Sequence, residues 1–397
     1  MTTYSAVLRK PGFSAVFLSH SLTILATSIS GLVVGAEINR ETGSPFLTSV
    51  ATLAPSLANM LSAMGLMAHA DTSRPRRLLV ILQIALSLTI FAQVLSLTVP
   101  ARLALLLLSG VISSLCAGIR LSLVRVLVGM DAYATSRSIL NLSAGTVQII
   151  GFAFAALFLS GVFAAGVFAA LSVLLLISAV ALRLLLPADV AVTKEANGLG
   201  FRRTWTVNFW VLRDPSMRRT LLLLWIPNGI VVGVESLFLS YDRDAAGLLF
   251  AAAAAGMLCG DFVTGRLLDR DQRRRINLPQ RALIALPYLA FVLHPTAPIA
   301  AVLIFLSSLG FSSSLNLQEQ LVDGIPDDRS GQVQGLESSG RVAAQGVFGL
   351  VAGGLAEITG APLAMPLMAA ASLASILVLS QSGLSRVRRT HLPSQEL

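Results

Sequence analysis

One short apolar phrase occurs twice in this chain: residues 31–37 read GLVVGAE, and residues 229–235 read GIVVGVE. Five of the seven letters are identical, and each copy ends on a carboxylate, Glu37 or Glu235. The copies lie 198 residues apart (229 − 31), about half of a chain of 397 residues. This spacing indicates an internal duplication.

The composition is typical of a membrane protein. Hydrophobic residues make up 55% of the chain and charged residues only 12%, with a mean hydropathy of +0.78. Soluble domains carry roughly a quarter charged residues, and one globule in water could not bury this much apolar surface. Because alternating strand patterns are not seen, a β-barrel is disfavoured, and helices are the predicted spanning structure.

Apolar runs close to the ~20 residues that a membrane-spanning helix needs recur along the sequence. We predict twelve, at 12–37, 45–69, 77–98, 102–129, 138–161, 163–185, 219–241, 245–268, 280–294, 298–322, 332–358 and 362–384. The first run is too long for a cleavable signal peptide and no small-residue cleavage site follows it. Cys116 and Cys259 both fall inside predicted spans, so a disulfide framework is not indicated.

The formal net charge of +9 is explained by where the basic residues lie. If the N-terminus is cytoplasmic, the outer loops hold only Arg40, Arg102 and Arg243, and most other basic residues fall in inner segments. This asymmetry predicts that both termini are cytoplasmic in a multi-pass protein of a bacterial-type inner (plasma) membrane. It does not indicate a nucleic-acid partner.

Three further matches recur in the same order as the opening phrase. Asp71 in ADTSRPRR corresponds to Asp269 in LDRDQRRR, LSAGTVQIIG (142–151) to ESSGRVAAQG (337–346), and VLRKP (7–11) to VLRDP (211–215). We therefore predict two homologous six-helix bundles joined by a cytoplasmic linker. The predicted boundaries are 1–186 for the first bundle, 187–218 for the linker, and 219–397 for the second bundle with a short cytoplasmic tail.

The linker has its own pattern, in which aromatic residues lie among arginines. This pattern is typical of a helix in the membrane interface, although an ordinary solvated linker is equally compatible with it. The aromatic residues are Phe201, Trp205, Phe209 and Trp210.

The loop motifs carry a family resemblance. GRLLDRDQRR (265–274) resembles the motif G-x-L-x-D-R-x-x-R-R of the major facilitator superfamily. IPDDRSGQVQG (325–335) resembles its tenth-to-eleventh helix loop, and LRDPSMRR (212–219) is similar to a segment common in its bacterial exporter branches. The first-half copy of the loop motif is degenerate, with Met67 and His69 in the Gly and Leu places.

The resemblance implies an all-α transporter of twelve helices, arranged as two parallel repeats that rock around a central path. The first, fourth, seventh and tenth helices would line that path. Charges of the loop motifs would act in gating. They are Asp71, Arg76, Arg77, Asp269, Arg270 and Arg273.

Glu37 and Glu235 each follow a Gly-x-x-x-Gly step, which lets a neighbouring helix approach closely. At ~100° per residue, each acid lies on the opposite face from the second glycine. We expect both acids to face the central path and to form an electrostatic outer gate that closes on protonation. The alternative is an acid at a helix end, wetted or paired with Arg40 or Arg243.

Further charges lie inside predicted spans, where an ionisable group is costly and is by default a functional candidate. Arg120 would bind an anionic substrate group or pair with a carboxylate. Alignment of LSLVRVLV (121–128) with LNLQEQLV (315–322) matches Arg125 to Glu319. This match predicts an inner-gate pair, unless each reaches water; the neighbouring Gln318 is a further candidate for substrate binding.

Three remaining features have structural interpretations beside the functional ones. Asp261 is either a proton site or the partner of a loop arginine. Glu337 and Arg341 are four residues apart, which favours mutual neutralisation on one helix. His20 is more readily a satisfied core residue than a proton relay.

No nucleotide-binding loop, metal motif or nucleophile motif is present, so we predict neither an enzyme nor a cofactor or metal site. We expect proton-coupled efflux of small amphipathic compounds (a drug, natural product or siderophore) by a monomer whose partners are substrate, protons and lipid. The missing Gly-Pro motif of the fifth helix weighs against proton antiport. A proton-coupled nutrient importer and a lipid flippase remain alternatives.

Overall fold

The computed structural model is helical, with no β-strand among the residues that it describes. These residues are 8–10, 12–65, 74–129, 136, 139–140, 143–144, 146–147, 150–151, 164–187, 208–323 and 327–387. The all-helical fold class predicted from the apolar runs is therefore confirmed for this part of the chain.

The helices fall into an N-terminal and a C-terminal group. The N-terminal helices are α1 (Phe13–Thr42), α2 (Pro45–Gly65), α3 (Pro75–Phe91), α4 (Val99–Val128) and α5 (Ala164–Leu185). The C-terminal helices are α6 (Pro215–Glu235), α7 (Phe238–Tyr241), α8 (Ala246–Phe262), α9 (Arg270–Leu283), α10 (Ala297–Leu309), α11 (Ser313–Asp323), α12 (Asp327–Thr359) and α13 (Ala361–Val387). Short 3₁₀ or π turns extend several of them, at Ala92–Val94, Val263–Leu267, Leu286–Leu293 and Gly310–Ser312.

Ten segments of the described chain are long and apolar enough to cross a membrane. They are Phe13–Thr42, Pro75–Val94, Val99–Val128, Ala164–Leu185, Pro215–Tyr241, Ala246–Leu267, Arg270–Leu293, Ala297–Leu321, Val333–Thr359 and Ala361–Gln381. Each overlaps one predicted span. The second predicted span is the helix α2, which is not among the ten, and most of the fifth (138–161) lies outside the described residues.

Aspartates at two helix starts explain where those helices begin. The Asp214 carboxylate accepts hydrogen bonds from the backbone N–H groups of Ser216 and Met217, both at 2.8 Å, at the start of α6. Asp269 caps α9, because its carboxylate accepts from Gln272 N while the Gln272 side chain accepts from Asp269 N. Such caps satisfy the free donors of a first helical turn.

The cap at Asp269 also corrects the predicted ninth span. The sequence prediction begins at residue 280, because the charged residues before it look like a loop. The structure begins this helix at Arg270, and the apolar segment runs over Arg270–Leu293.

The predicted linker is only partly described. Residues 188–207, with Phe201 and Trp205, lie outside the described part, whereas 208–213 are helical. The Arg213 guanidinium carbon lies 4.3 Å from the Phe209 ring centroid, and Phe209 is 56% exposed. The interfacial helix stays a prediction.

Packing joins the two groups of helices side by side. Among the N-terminal helices, α1 packs on α2, α4 and α5, and α3 packs on α4 and α5. Among the C-terminal helices, α12 packs on α6 and α8 packs on α10. The contact of α2 with α12 joins the groups, and one continuous cluster of buried apolar side chains includes residues of both.

Candidate functional site

Two ends of the molecule carry most of the predicted site residues. We call the end where α1 finishes and α2 begins the glutamate end, because Glu37 lies there, as does Glu235, the last residue of α6. The opposite end is the arginine end, where α3 begins beside Arg76 and α9 begins beside Arg273.

Glu37 lies in an ion pair with Arg102, which is near the start of α4. Its Oε2 atom accepts a hydrogen bond from Arg102 Nη1 at 2.5 Å, and both side chains are nearly buried, at 13% and 12% exposure. Arg102 Nη1 also lies 3.6 Å from Glu41 Oε1. For a paired acid, the sequence suggested Arg40 or Arg243 as the partner. In the structure the partner of Glu37 is Arg102, so the ion pair joins α1 to α4.

Glu235 has different surroundings from Glu37. Its Oε1 atom is buried and has no hydrogen-bond partner among the described residues, and no arginine or lysine of that part of the chain forms an ion pair with it. The fully buried Tyr288 lies close enough to experience the charge of Glu235. Among the described residues, the second copy of the phrase therefore has a half-buried carboxylate without a counter-charge.

Polar contacts join the N-terminal and C-terminal helices at the glutamate end. Asn39 Nδ2 donates to Leu239 O at 3.0 Å, and Ser236 Oγ donates to Ser49 Oγ at 3.1 Å. Glu357 of α12 accepts at Oε2 from Ser44 Oγ (2.8 Å) and from the backbone N–H of Phe46 (3.1 Å) at the start of α2. The two groups of helices are thus closed against each other at this end.

Glycines let α12 and α2 come this close. A Cβ atom at Gly349 would lie 1.7 Å from Leu53 Cδ1, and one at Gly353 would lie 3.0 Å from Phe46 Cα. The contact therefore excludes any side chain at Gly349 unless Leu53 or the helices move.

Arg120 lies inside the N-terminal helices and is 2% exposed. Its Nη2 atom donates to Thr23 Oγ1 of α1 at 2.5 Å and to Gln83 Oε1 of α3 at 3.3 Å, and Gln83 in turn donates to Ser178 of α5. No carboxylate of the described residues contacts it. Neutral dipoles from α1 and α3 therefore contact Nη2 of this cation, while its Nε atom has no partner in the described part of the chain. None of the predicted acidic residues that the structure describes contacts it.

The arginine end holds an ion pair between α11 and α9. Arg273 Nη1 lies 3.0 Å from Glu319 Oε1, while Glu319 Oε2 is buried without a partner in the described part of the chain. The Arg125 side chain, the predicted partner of Glu319, lies outside the described residues, as does Asp71. Gln318 is half-buried beside Glu319.

The remaining predicted residues have mostly local surroundings. Arg76 donates to Arg183 O at the end of α5, while Arg77 and Arg270 are exposed. Asp261 is exposed on α8 and forms no ion pair with the described residues, so the loop-arginine partner is not found there. The pairing of Glu337 with Arg341 is confirmed, because Arg341 Nε lies 3.1 Å from Glu337 Oε1. His20 is half-buried, and its Nε2 atom lies 3.2 Å from Leu140 O.

Sequence reasoning missed Arg102 and Glu357 as site residues. Arg102 was placed in an outer loop, although it lies within the fourth predicted span at its outer boundary and points back to α1. The opening phrase gave no signal for Glu357, which lies more than 300 residues from its contacts, Ser44 and Phe46.

Comparison with known proteins agrees with this architecture. Similar solved structures include a bacterial homologue of the human lysosomal transporter Spinster, inward-facing and occupied (13% identity, 93% of this chain and 96% of that chain, TM-score 0.70). They also include the nucleoside transporter NupG (13%, 93% and 98%, 0.71) and the human organic anion transporter MFSD10 (TETRAN; 16%, 92% and 98%, 0.62). Curated protein sequences give no match. The sequence model of the Major Facilitator Superfamily matches residues 16–341, and the chain therefore belongs to this superfamily of membrane transporters.

Proposed function

We propose that this transporter exports small amphipathic compounds, such as a drug, natural product or siderophore, in exchange for protons. The observation that carries proton coupling is Glu235, whose buried Oε1 atom has no partner among the described residues. An uncompensated carboxylate in apolar surroundings is costly while it is ionised. A proton removes that charge, so this residue is suited to carry one.

Glu235 is placed where protonation can affect the closed contact. It directly precedes Ser236, whose hydroxyl contacts Ser49 across the interface between the two groups of helices. Neutral hydrogen bonds of this kind contribute about 1 kcal/mol each. The free-energy change on adding or removing one nearby charge is at least as large as one such hydrogen bond. Protonation of Glu235 can therefore shift the balance between closed and open forms at the glutamate end.

Glu37 has a different proposed role at the glutamate end. Because Arg102 already compensates its charge, we propose that Glu37 positions α1 and α4 at the glutamate end, while Glu235 exchanges the proton. This division of roles refines the expectation that both acids act alike in an electrostatic outer gate.

We further propose the layout that the sequence predicts: twelve spans in two parallel repeats, at 1–186 and 219–397, with a cytoplasmic linker at 187–218. Ten apolar helical segments support it. The exposed arginines at the arginine end, among them Arg77 and Arg270, support an inner-membrane protein with cytoplasmic termini. A monomer is the simplest working unit.

The arginine end would form the inner gate. The Arg273–Glu319 ion pair connects α9 with α11 in the conformation seen here. We propose that Asp71, Arg76, Arg77, Arg125, Asp269 and Arg270 act at this end, and that Arg120, Asp261, Gln318 and Glu319 contribute to substrate or proton binding when it opens.

The test uses everted membrane vesicles with an acid interior, read with a pH-sensitive dye. Cationic, neutral and anionic amphipathic compounds are added to wild type, Glu235→Gln and the control Glu41→Gln. Glu41 is a matched carboxylate at the same end, and its side chain is 40% exposed. We expect one compound class to dissipate the gradient in wild type and Glu41→Gln, and not in Glu235→Gln.

Each other outcome has a defined meaning. A wild-type response to no compound would contradict proton-coupled export. A full response in Glu235→Gln would remove Glu235 from the proton path. Solute-driven acidification in place of dissipation would favour the nutrient importer.

A further inference from the structure

Two arginines at the arginine end of the C-terminal helices, Arg219 and Arg281, lie close enough for the charge of one to act on the other. Arg281 of α9 is 92% buried (8% exposed), and the charge of Arg219 on α6 acts on it directly. Like charges that approach each other in a partly dehydrated site repel. A negatively charged group or several hydrogen-bond acceptors would therefore stabilise the two positive charges at this position.

Among the described residues, neighbouring groups accept hydrogen bonds from Arg219 but not from Arg281. Arg219 Nε donates to Leu379 O at 2.6 Å and Arg219 Nη2 donates to Ser380 O at 2.7 Å, so α13 holds this guanidinium with backbone carbonyls. Arg281 Nε is buried without a hydrogen-bond partner among the described residues, as is Arg120 Nε. No carboxylate of the described residues forms an ion pair with either arginine.

The N-terminal helices supply an internal comparison. At the repeat offset of 198 residues, Gln83 is the sequence counterpart of Arg281 (83 + 198). The side-chain amide of Gln83 contacts the buried Arg120. In the first copy, one cation is thus surrounded by a neutral amide and the hydroxyl of Thr23. In the second copy an arginine, Arg281, occupies the position of the Gln83 amide. A neutral amide is therefore not present at that position to compensate a neighbouring cation.

The chemistry of the pair selects the missing partner. Two guanidinium groups present several N–H donors in fixed geometry, which matches the oxygens of a phosphate group. Arg274 and Arg275, one to two turns earlier on α9, are exposed and would raise the local concentration of anions. Acidic lipid headgroups are attracted to basic residues of this kind at a membrane surface.

We propose that Arg219 and Arg281 form a binding site for a phosphate group, enclosed by α6, α9 and α13 at the arginine end. The phosphate is carried either by an acidic phospholipid of the adjacent leaflet or by a soluble phosphate ion. Bound phosphate would link three C-terminal helices and stabilise their arrangement. This site does not include Glu235, and phosphate binding there does not depend on the direction of transport.

The test measures the thermal unfolding midpoint of purified protein. One arm compares mixed micelles that contain phosphatidylglycerol with micelles that contain only phosphatidylcholine. The other arm titrates inorganic phosphate against chloride at constant ionic strength. Because a ligand that binds only the folded state raises its stability, wild type should unfold at a higher temperature with phosphatidylglycerol, with inorganic phosphate, or with both.

Variants locate the effect. We expect Arg281→Gln and Arg219→Gln each to weaken the response at least tenfold in ligand concentration, whereas Arg40→Gln, an exposed arginine at the opposite, glutamate end, should respond like wild type. If Arg281→Gln fails to fold, the half-exposed Arg219→Gln still decides the question.

The arms also identify the source of the phosphate. A response to phosphatidylglycerol alone identifies a lipid site, and a response to both ligands identifies a site for soluble phosphate as well. Wild type that unfolds at the same temperature in every condition would overturn the proposal. An unchanged response in both Arg219→Gln and Arg281→Gln would also overturn it.

Discussion

Glu37 and Glu235 close the same seven-residue phrase, yet their environments differ. Glu37 is paired with Arg102 of α4, whereas Glu235 has a buried oxygen without a partner among the described residues. At the repeat offset of 198, the counterpart of Arg102 is Ala300, a fully buried apolar residue. The acid thus occurs in both copies of the phrase, whereas among the described residues a counter-charge lies beside only one of them.

The glycines of the phrase differ in the same way. In the first copy a Cβ at Gly31 would lie 3.4 Å from Ala51 O of α2, and one at Gly35, the counterpart of Gly233, would lie 3.0 Å from the side-chain oxygen of Thr52. In the second copy they face α12, where a Cβ at Gly233 would lie only 2.6 Å from Phe348 O. The same Gly-x-x-x-Gly step therefore supports a looser contact in one copy and a tighter one in the other.

The largest expected effect comes from the tight glycine contact. Gly233→Ala should destabilise the protein by about 3 kcal/mol, because backbone of α12 cannot yield as a side chain can. Gly31→Ala should stay within about 1 kcal/mol of wild type, since alanine also favours the helix. Unfolding midpoints of both variants in one detergent check this, and equal loss in the two would show that the contacts are equivalent after all.

The next effect separates the two acids. Glu37→Gln leaves Arg102 without its ion pair in a site where both side chains are nearly buried. We expect a loss between the ~1 kcal/mol of exposed pairs and the ~3 kcal/mol of buried ones. Glu235→Gln removes an uncompensated charge, so its unfolding midpoint should be unchanged or higher.

A double-mutant cycle of Glu37→Gln with Arg102→Gln makes this comparison quantitative. The coupling energy should account for most of the loss in Glu37→Gln. A lower midpoint for Glu235→Gln than for Glu37→Gln would reverse the proposed assignment of paired and unpaired acid.

The sequence predicted the helices well because each span is a local property. Length and hydropathy locate ten apolar segments, and the superfamily model matches residues 16–341, a range that includes the loop motif around Asp269. The ninth helix begins ten residues before the predicted span, because a capping box can begin a helix within charged residues. That signal, Asp269 with Gln272, was present in the sequence. The second predicted span is not among the ten segments, and most of the fifth lies outside the described residues.

Side-chain partners could not be predicted in this way, because they depend on the angles between helices. The pairing of Glu37 with Arg102 spans 65 residues, and the contact of Glu357 with Ser44 spans 313. In contrast, the pairing of Glu337 with Arg341 was predicted correctly, since residues four apart share a helix face.

A third prediction concerns the arginine end, where the aligned helix ends suggested Arg125 as the partner of Glu319. The structure shows Arg273 at 3.0 Å, with 18% and 34% exposure of the two side chains. We expect Glu319→Arg to lower transport, with a stability loss of about 1 kcal/mol. Arg273→Glu should restore transport in the double variant.

The matched comparison is Arg125→Glu in the Glu319→Arg background. Rescue by this change, and not by Arg273→Glu, would support the predicted contact between the two copies and would place the Arg273 contact outside the working cycle. Transport initial rates at equal protein content provide the readout.

The smallest expected effect lies in the third repeated segment, where ESSGRVAAQG carries the Glu337–Arg341 pair and LSAGTVQIIG has Leu142 and Thr146 instead. Here again one copy has charges that the other lacks, but both charges are present and four residues apart. The cycle of Glu337→Gln and Arg341→Gln should give a coupling of only about 0.5 kcal/mol. A coupling as large as that of Glu37 with Arg102 would mean that burial of Glu337, at 7% exposure, outweighs the local geometry. Paired charges within one helix would then be as much a determinant of this fold as pairs between helices.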